Sequence, residues 1–200
     1  MVSFRRFTPD NADYHDPLSL AGQLLVAMPG VADVNFDRAV LLLCMHSAQG
    51  SFAITINRPM INLNFAEMWQ QMGQESTPTQ TDIPLLAGGP LEADRGFVVH
   101  SPDLLRDGTL RLSDDIALSA TIEVLQRLAG GNGPAKALVC MGYAGWGPGQ
   151  LETELQHSDW LLMPADDDLV FDTNFDNKWH RCFAKLGIDP ERLSHLSGKA

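Results

Sequence analysis

The chain has 200 residues, 44% of them hydrophobic, and carries 14 basic against 25 acidic side chains for a net charge of −11. Such a length and apolar share suffice to bury a core without covalent staples, which excludes a wholly disordered chain. The acidic balance disfavours direct nucleic-acid binding, which draws much of its free energy from Lys and Arg on phosphates; the densest basic pair is only Arg5-Arg6.

In chain order, residues 1–17 carry Pro, Asp and Asn without periodicity and read as a loose arm, with 18–200 as a single domain. The arm lacks the apolar core of a signal peptide, and the longest strongly apolar run, 39–45, is far short of a membrane span. Segments 24–28, 39–46 and 52–57 predict strands. The second is apolar at nearly every position, as a strand covered on both faces requires; in the third, Phe52, Ile54 and Ile56 alternate with Ala53, Thr55 and Asn57. Gly50-Ser51 is expected to turn the hairpin between them. Asn64 caps a short helix with Glu67 as capping-box partner, Phe65, Met68, Trp69 and Met72 as its apolar face and Gly73 as its stop. The polar stretch 74–82 reads as exposed loop.

Segments 85–87, 96–100 and 110–112 predict short strands. Leu118, Ile122, Leu125 and Ala129 recur at helical spacing up to Gly130-Gly131. A strand at 137–141 leads into a glycine-rich loop and a helix over 148–157, followed by strands at 160–163 and 169–171. Phe175, Trp179, Cys182, Phe183 and Leu186 form one helical stripe ended by Gly187, and Asp189-Pro190-Glu191 starts a last short helix. Many short strands, interspersed helices and no regular βαβ alternation predict an α+β fold.

The most unusual segment is Gly142-Tyr143-Ala144-Gly145-Trp146-Gly147-Pro148-Gly149-Gln150-Leu151-Glu152. With Pro148 at the first helical position, the amides of Gly149 and Gln150 would be free to meet an anion. A nucleotide loop is excluded, because Pro148 stands where a P-loop lysine belongs and Gln150 where the third glycine of GxGxxG belongs. The alternative is structural: glycines that supply positive φ and close packing beneath the two aromatics. In the helix that follows, Gln150, Glu154 and His157 share one polar stripe, which is either a solvated face or part of a site. Asn57-Arg58 and Gly88-Gly89 end strands, and Arg95 and His100 bound another. Converging on the helix start, the two arginines would hold a carboxylate or another small anion.

No metal, cofactor or catalytic residue is assigned. Cys44 and His46 share a strand face by spacing, with no second ligand pair, and Cys44, Cys140 and Cys182 form no CxxC; free thiols suit a reducing cytoplasm. Residues 172–176 mimic the start of a calcium loop, but Asn177 replaces its glycine and Phe183 its bidentate Glu, while Asp166-Asp167-Asp168 reads as a solvated turn. Nucleophile-elbow, zinc-protease and SxxK signatures are missing.

Together these motifs make the chain resemble the YqgE/AlgH family of bacterial proteins. The likeness begins at Leu20-Ala21-Gly22-Gln23-Leu24-Leu25-Val26-Ala27-Met28-Pro29 and continues through Ile56-Asn57-Arg58-Pro59, Gly88-Gly89-Pro90, Arg95-Gly96-Phe97 with His100-Ser101, and the 142–152 block. It ends at Leu186-Gly187-Ile188-Asp189-Pro190, and so covers essentially 18–200; Ala53 departs from it, standing where the family commonly has glycine. The resemblance implies a bifurcated, mainly antiparallel sheet folded into a pseudo-barrel and flanked by helices, in a cytoplasmic protein of Gram-negative type. It implies no reaction. Some members carry a transcriptional-regulator label, but no helix-turn-helix with basic recognition residues is visible here, so such a role would be indirect.

Three readings stay open: a non-enzymatic regulatory or protein-interaction module with an unknown protein partner; a small-anion or metabolite binder, or an unrecognised enzyme; and a direct DNA-binding regulator. The candidate surface comprises Asn57, Arg58, Gly88, Gly89, Arg95, His100, Tyr143, Trp146, Gln150 and Glu154. The first reading predicts a partner surface around Tyr143 and Trp146, the second a single concave pocket, the third a basic face.

Overall fold

The computed structural model describes residues 19–194 apart from 32 and 75, so the arm expected at 1–17 lies outside the described residues. Among them, nine strands join in one sheet: β1 (Gln23–Ala27), β2 (Val40–Ser47), β3 (Gly50–Thr55), β4 (Leu85–Ala87), β5 (Leu91–His100), β6 (Thr109–Arg111), β7 (Ala117–Ser119), β8 (Ala137–Trp146) and β9 (Trp160–Pro164). Their order is β6-β7-β5-β8-β3-β2-β1-β9, antiparallel throughout, and β4 adds to β8 in parallel. The sheet forks along β8. Its first half pairs with β4 (Leu85 opposite Val139) and its last residues with β3 (Ser51 opposite Trp146).

The two faces of a curled sheet need different covers, and alternation along the strands supplies them. Inward residues Leu24, Val40, Leu42, Ile54, Phe97, Val99, Leu138 and Cys140 form the concave core. It is plugged by α5 (Phe175–Lys185) through Trp179, Cys182 and Phe183, and the Trp179 indole donates to the Ala27 carbonyl at 2.8 Å. The convex face is covered in two patches. The helices α1 (Phe65–Gln71) and α2 (Ile122–Ala129) cover Val98, Val139 and Met141. Against Leu25, Leu41, Leu43, Ala53 and Ala144 lies α3 (Gln150–Gln156), through Leu151. The curled, mainly antiparallel α+β architecture is the expected one.

Several local expectations hold, and others yield to longer-range forces. Asn64 and Glu67 form the reciprocal capping box, and Gly187, at φ +68°, follows the end of α5. Leu118 does not extend the helix that follows it: it pairs with Leu110 and Val99 in β7, and α2 begins only at Ile122. The hairpin turns at Ala48-Gln49, since Ser47 pairs with Gly50 and Gly50-Ser51 already belong to β3. The strand expected at 169–171 is the short helix α4 (Asp167–Val170). Its cause lies in Asp166, read as solvated turn, whose carboxylate caps the Leu169 amide at 2.9 Å. The last helix, α6 (Pro190–Ser194), starts at Pro190 as expected.

Cys44 and His46 do not share a face. A bulge between Leu43 and Met45 inserts one residue, so Cys44 and Met45 both turn to the concave core. His46 is thereby sent outward, to Glu152 of α3 at 3.0 Å. Residues 172–176 hold no open ligand loop: the Asp172 carboxylate accepts the Asn174 amide and pairs with Arg181.

Candidate functional site

The glycine-rich block is not a loop. Residues 142–146 extend β8 as strand, and the glycines let a second backbone press against it. A Cβ on Gly89 would lie 2.1 Å from the Tyr143 carbonyl carbon, one on Gly88 2.4 Å from the Gly142 oxygen, and one on Gly142 2.5 Å from the Gly89 oxygen. At the fork, Gly88 donates to the Met141 carbonyl at 2.6 Å and accepts from the Thr55 amide at 2.7 Å. Gly142, Gly88 and Gly89 are thus placed by backbone contact.

Beyond the crossing, Trp146 turns to the convex face and is almost wholly buried against Trp160, the two rings edge to face at 5.9 Å. Phe36, from a 3-10 turn at Val34–Phe36, meets Trp160 edge to face at 5.4 Å and stacks beside Trp146 at 6.5 Å. On α3, Glu154 faces both tryptophans. Its Oε2 accepts from Trp146 Nε1 at 2.7 Å and Trp160 Nε1 at 2.8 Å, and its Oε1 accepts from Gln150 Nε2 at 2.9 Å. Gln150 is itself fixed, because its Oε1 accepts the Gly147 amide at 3.1 Å. Three neutral donors therefore hold one carboxylate in place without cancelling its charge.

Glu154 sits in the wall of a cavity of about 390 Å³ that Val31, Phe36, Leu91, Trp146 and Trp160 line with apolar surface and Asp33 and Asp159 with two further carboxylates. Among the described residues, the lining contains no Lys, Arg or His. A second cavity, about 410 Å³, shares Leu91, Gly145 and Trp146 with the first. Its floor is aromatic: Phe52, Phe97 and Tyr143 meet at centroid separations of 5.1 to 6.0 Å. Above it, a bulge in β5 between Leu91 and Gly96 brings Glu92 and Arg95 together at 3.3 Å. The Arg95 guanidinium lies 5.2 Å over the Phe97 ring, and Tyr143 donates to Glu92 at 2.9 Å. Burial, then the adjacent Glu92 carboxylate, raise the Tyr143 hydroxyl above its ordinary pKa.

Of the sequence candidates, Tyr143, Trp146, Gln150 and Glu154 line these adjoining cavities together with Arg95, while Gly88 and Gly89 support them from behind. The anion site expected at the helix start does not form. The first helical residue is Gln150, not Pro148, and its amide turns back to the Gly147 carbonyl at 3.1 Å. Nor do the arginines meet there. Arg58 donates to the Asp37 carbonyl at 2.8 Å, and Arg95 stays with Glu92.

Asn57 spans the same turn as Arg58. It accepts from the Val40 amide at 2.8 Å and donates to the Arg38 carbonyl at 2.9 Å, thereby holding the segment that carries Phe36. Asn57→Ala is expected to cost about 2 kcal/mol by stranding the Val40 amide. Urea denaturation measures the loss, and hydrogen exchange should quicken first at Val40.

His100 lies apart from both cavities, fully buried at the far end of β5. Its Nδ1 faces the Ser101 carbonyl at 2.8 Å, which can only accept, so Nε2 is the acceptor for the Ser119 hydroxyl at 2.9 Å. Burial lowers its pKa and keeps the ring neutral. Phe36, Trp160, Asp33 and Asp159 escaped the sequence reading. Trp160 alone carried a signal, as an indole at a strand start whose N–H needs an acceptor when buried.

A curled-sheet α+β chain, with glycines crossing at its fork and a tryptophan-held glutamate beside them, is the class of protein defined here. The comparisons agree. The AlgH-like family model matches residues 24–191, and the chain belongs to that family. A UPF0301 protein of Cereibacter sphaeroides is 44% identical over 184 residues, which are 92% of this chain and 100% of that one. A UPF0301 protein of a Methylobacterium species is 47% identical over 189 residues, with 90% of each chain covered. The solution structure of the AlgH protein from Pseudomonas aeruginosa superposes with a TM-score of 0.75 at 40% identity, over 92% of this chain and 96% of that one. A crystal structure from Corynebacterium diphtheriae shares the fold, with a TM-score of 0.67 at 20% identity over 98% and 95% of the two chains. Among the described residues, no helix is long and apolar enough to cross a membrane.

Proposed function

We propose that the chain is a protein-interaction module whose cleft at Glu154 docks a segment of a partner bearing a cationic side chain next to an apolar one. A carboxylate preorganised by three neutral donors, in a cavity that no basic side chain lines among the described residues, carries this reading. Asp33 and Asp159 deepen the negative potential of the same cavity. A Lys or Arg entering there gains a charge-assisted hydrogen bond, and its stem covers Phe36 and Trp146. The neighbouring aromatic cavity receives the apolar side chain, as a buried anchor of an interface does. The same carboxylates repel phosphates and small anions, which counts against the anion and DNA readings at this cleft.

The test uses fluorescein-labelled acetyl-Ser-Phe-Arg-Lys-Leu-Ser-amide and its counterpart with Glu-Glu in place of Arg-Lys, read by anisotropy at 0.15 M salt. The cationic peptide is expected to bind and the acidic one not. Glu154→Gln is expected to weaken binding about tenfold, as loss of a charge-assisted bond does. Asp159→Asn, which leaves the tryptophan network whole, should weaken it severalfold. Equal binding of both peptides, or an unchanged affinity in both variants, would overturn the reading.

A further inference from the structure

The described chain begins beside this cleft. Ser19 Oγ donates to the His46 carbonyl at 3.2 Å, and the Leu20 amide donates to His46 Nδ1 at 3.3 Å. The same histidine bonds Glu152, two residues before Glu154, and its sheet partner Ser51 lines the aromatic cavity. Leu20 also packs against the cluster that holds Trp146 and Trp160. Ser19 and Leu20 therefore lie against residues whose neighbours on α3 and β3 line the two cavities.

What the sequence places before Ser19 is Phe4-Arg5-Arg6-Phe7, the densest basic pair of an acidic chain with an aromatic on either side. Its chemistry complements the cleft point for point: cations for Glu154, Asp33 and Asp159, and a ring for the cavity floored by Phe52, Phe97 and Tyr143. Reach is not limiting. An extended chain advances about 3.3–3.6 Å per residue, so the stretch between Phe7 and Ser19 can span up to about 40 Å.

We propose that Phe4-Arg5-Arg6-Phe7 is a tethered ligand of the cleft, a built-in competitor that a partner must displace; this rests on the docking function proposed above. A short tether confers an effective concentration on the order of millimolar. If the free segment binds with a Kd of about 100 μM, the tethered one weakens an external peptide about tenfold.

The experiment uses the full chain, with the cationic hexapeptide above as probe and the indole N–H resonances as an internal readout. Arg5→Gln/Arg6→Gln and the charge-neutral Phe4→Ala/Phe7→Ala are each expected to bind the probe about tenfold more tightly than the unsubstituted chain. In both variants the Trp146 and Trp160 indole resonances should move, while those of Trp69 and Trp179 stay put. Equal affinities with unmoved indoles overturn the tethered ligand and leave the docking function standing. A gain confined to the arginine variant, with unmoved indoles, is a long-range charge effect and overturns it too. If no chain binds the probe and the indoles stay put, both proposals fall; moved indoles without probe binding retain the tethered segment and reject the external partner.

Discussion

Gly89→Ala is expected to lower the unfolding free energy by about 4 kcal/mol or more, the large end of what a single methyl group does. The added Cβ would meet three atoms of one peptide unit, the Tyr143 carbonyl carbon at 2.1 Å and oxygen at 2.3 Å and the Ala144 nitrogen at 2.5 Å. No rotamer relieves a clash between backbones. The strand before β5 would have to lift off β8, and with it would go the Gly88 hydrogen bonds to Met141 and Thr55 that close the fork. Gly147→Ala is the matched control from the same conspicuous block. Its Cβ would find its nearest neighbour, the Gln150 side-chain oxygen, at 4.0 Å, and its φ is not positive. That variant should stay within about 0.5 kcal/mol of the parent. Urea denaturation of both decides the matter: an unchanged midpoint for Gly89→Ala would mean that the crossing can open at little cost.

The contrast shows what sequence could and could not disclose. Glycine density marked the block, but the residue whose backbone makes one of its glycines, Gly142, necessary is Gly89, more than fifty positions earlier. Elements written in local periodicity and capping were legible: the apolar run of β2, the Asn64 capping box and the stripe of α5. Elements decided by partners elsewhere were not. Leu118 fits a helical stripe, yet β5 and β6 leave it a strand slot. One bulged residue at Cys44 reversed the facing of His46, which no spacing rule anticipates.

The candidate site followed the same division. Gln150 and Glu154 could be paired from helical spacing, and they bond at 2.9 Å. Their meeting with Trp146 and Trp160 depends on the β1–β9 pairing that sets Trp160 opposite Ala27. Asn57 and Arg58 were noticed for their chemistry but serve the turn behind Phe36. Sequence offers no sign of that distance from the cavity.

Lys178 supplies the other large effect, and its direction runs against intuition. The side chain is fully buried, its Nζ donates to the Val170 carbonyl at 2.8 Å, and the ammonium lies 5.2 Å from the Phe175 ring centroid. Burial lowers its pKa from 10.5 to about 8, against partial relief from Asp172. Below pH 8 both folded and unfolded chains hold the proton, and the folded one bears the full cost of an enclosed cation. Between about 8 and 10.5 the folded chain has released the proton and the unfolded chain has not, so stability rises with pH by up to about 1.4 kcal/mol per unit. The thiols oppose this. Burial raises Cys140 to about 12 and Cys182 to about 11, so the unfolded chain sheds their protons first and stability falls above the ordinary thiol range. The lysine contribution is isolated by difference. At pH 7, Lys178→Met is expected to be more stable than the parent by about 1–2 kcal/mol, because losing the Val170 hydrogen bond costs less than the enclosed charge did. The advantage should shrink steadily as urea denaturation is repeated from pH 7.5 to 9.5. A variant that is less stable at pH 7, by a margin independent of pH, would show that the ammonium is well solvated where it lies.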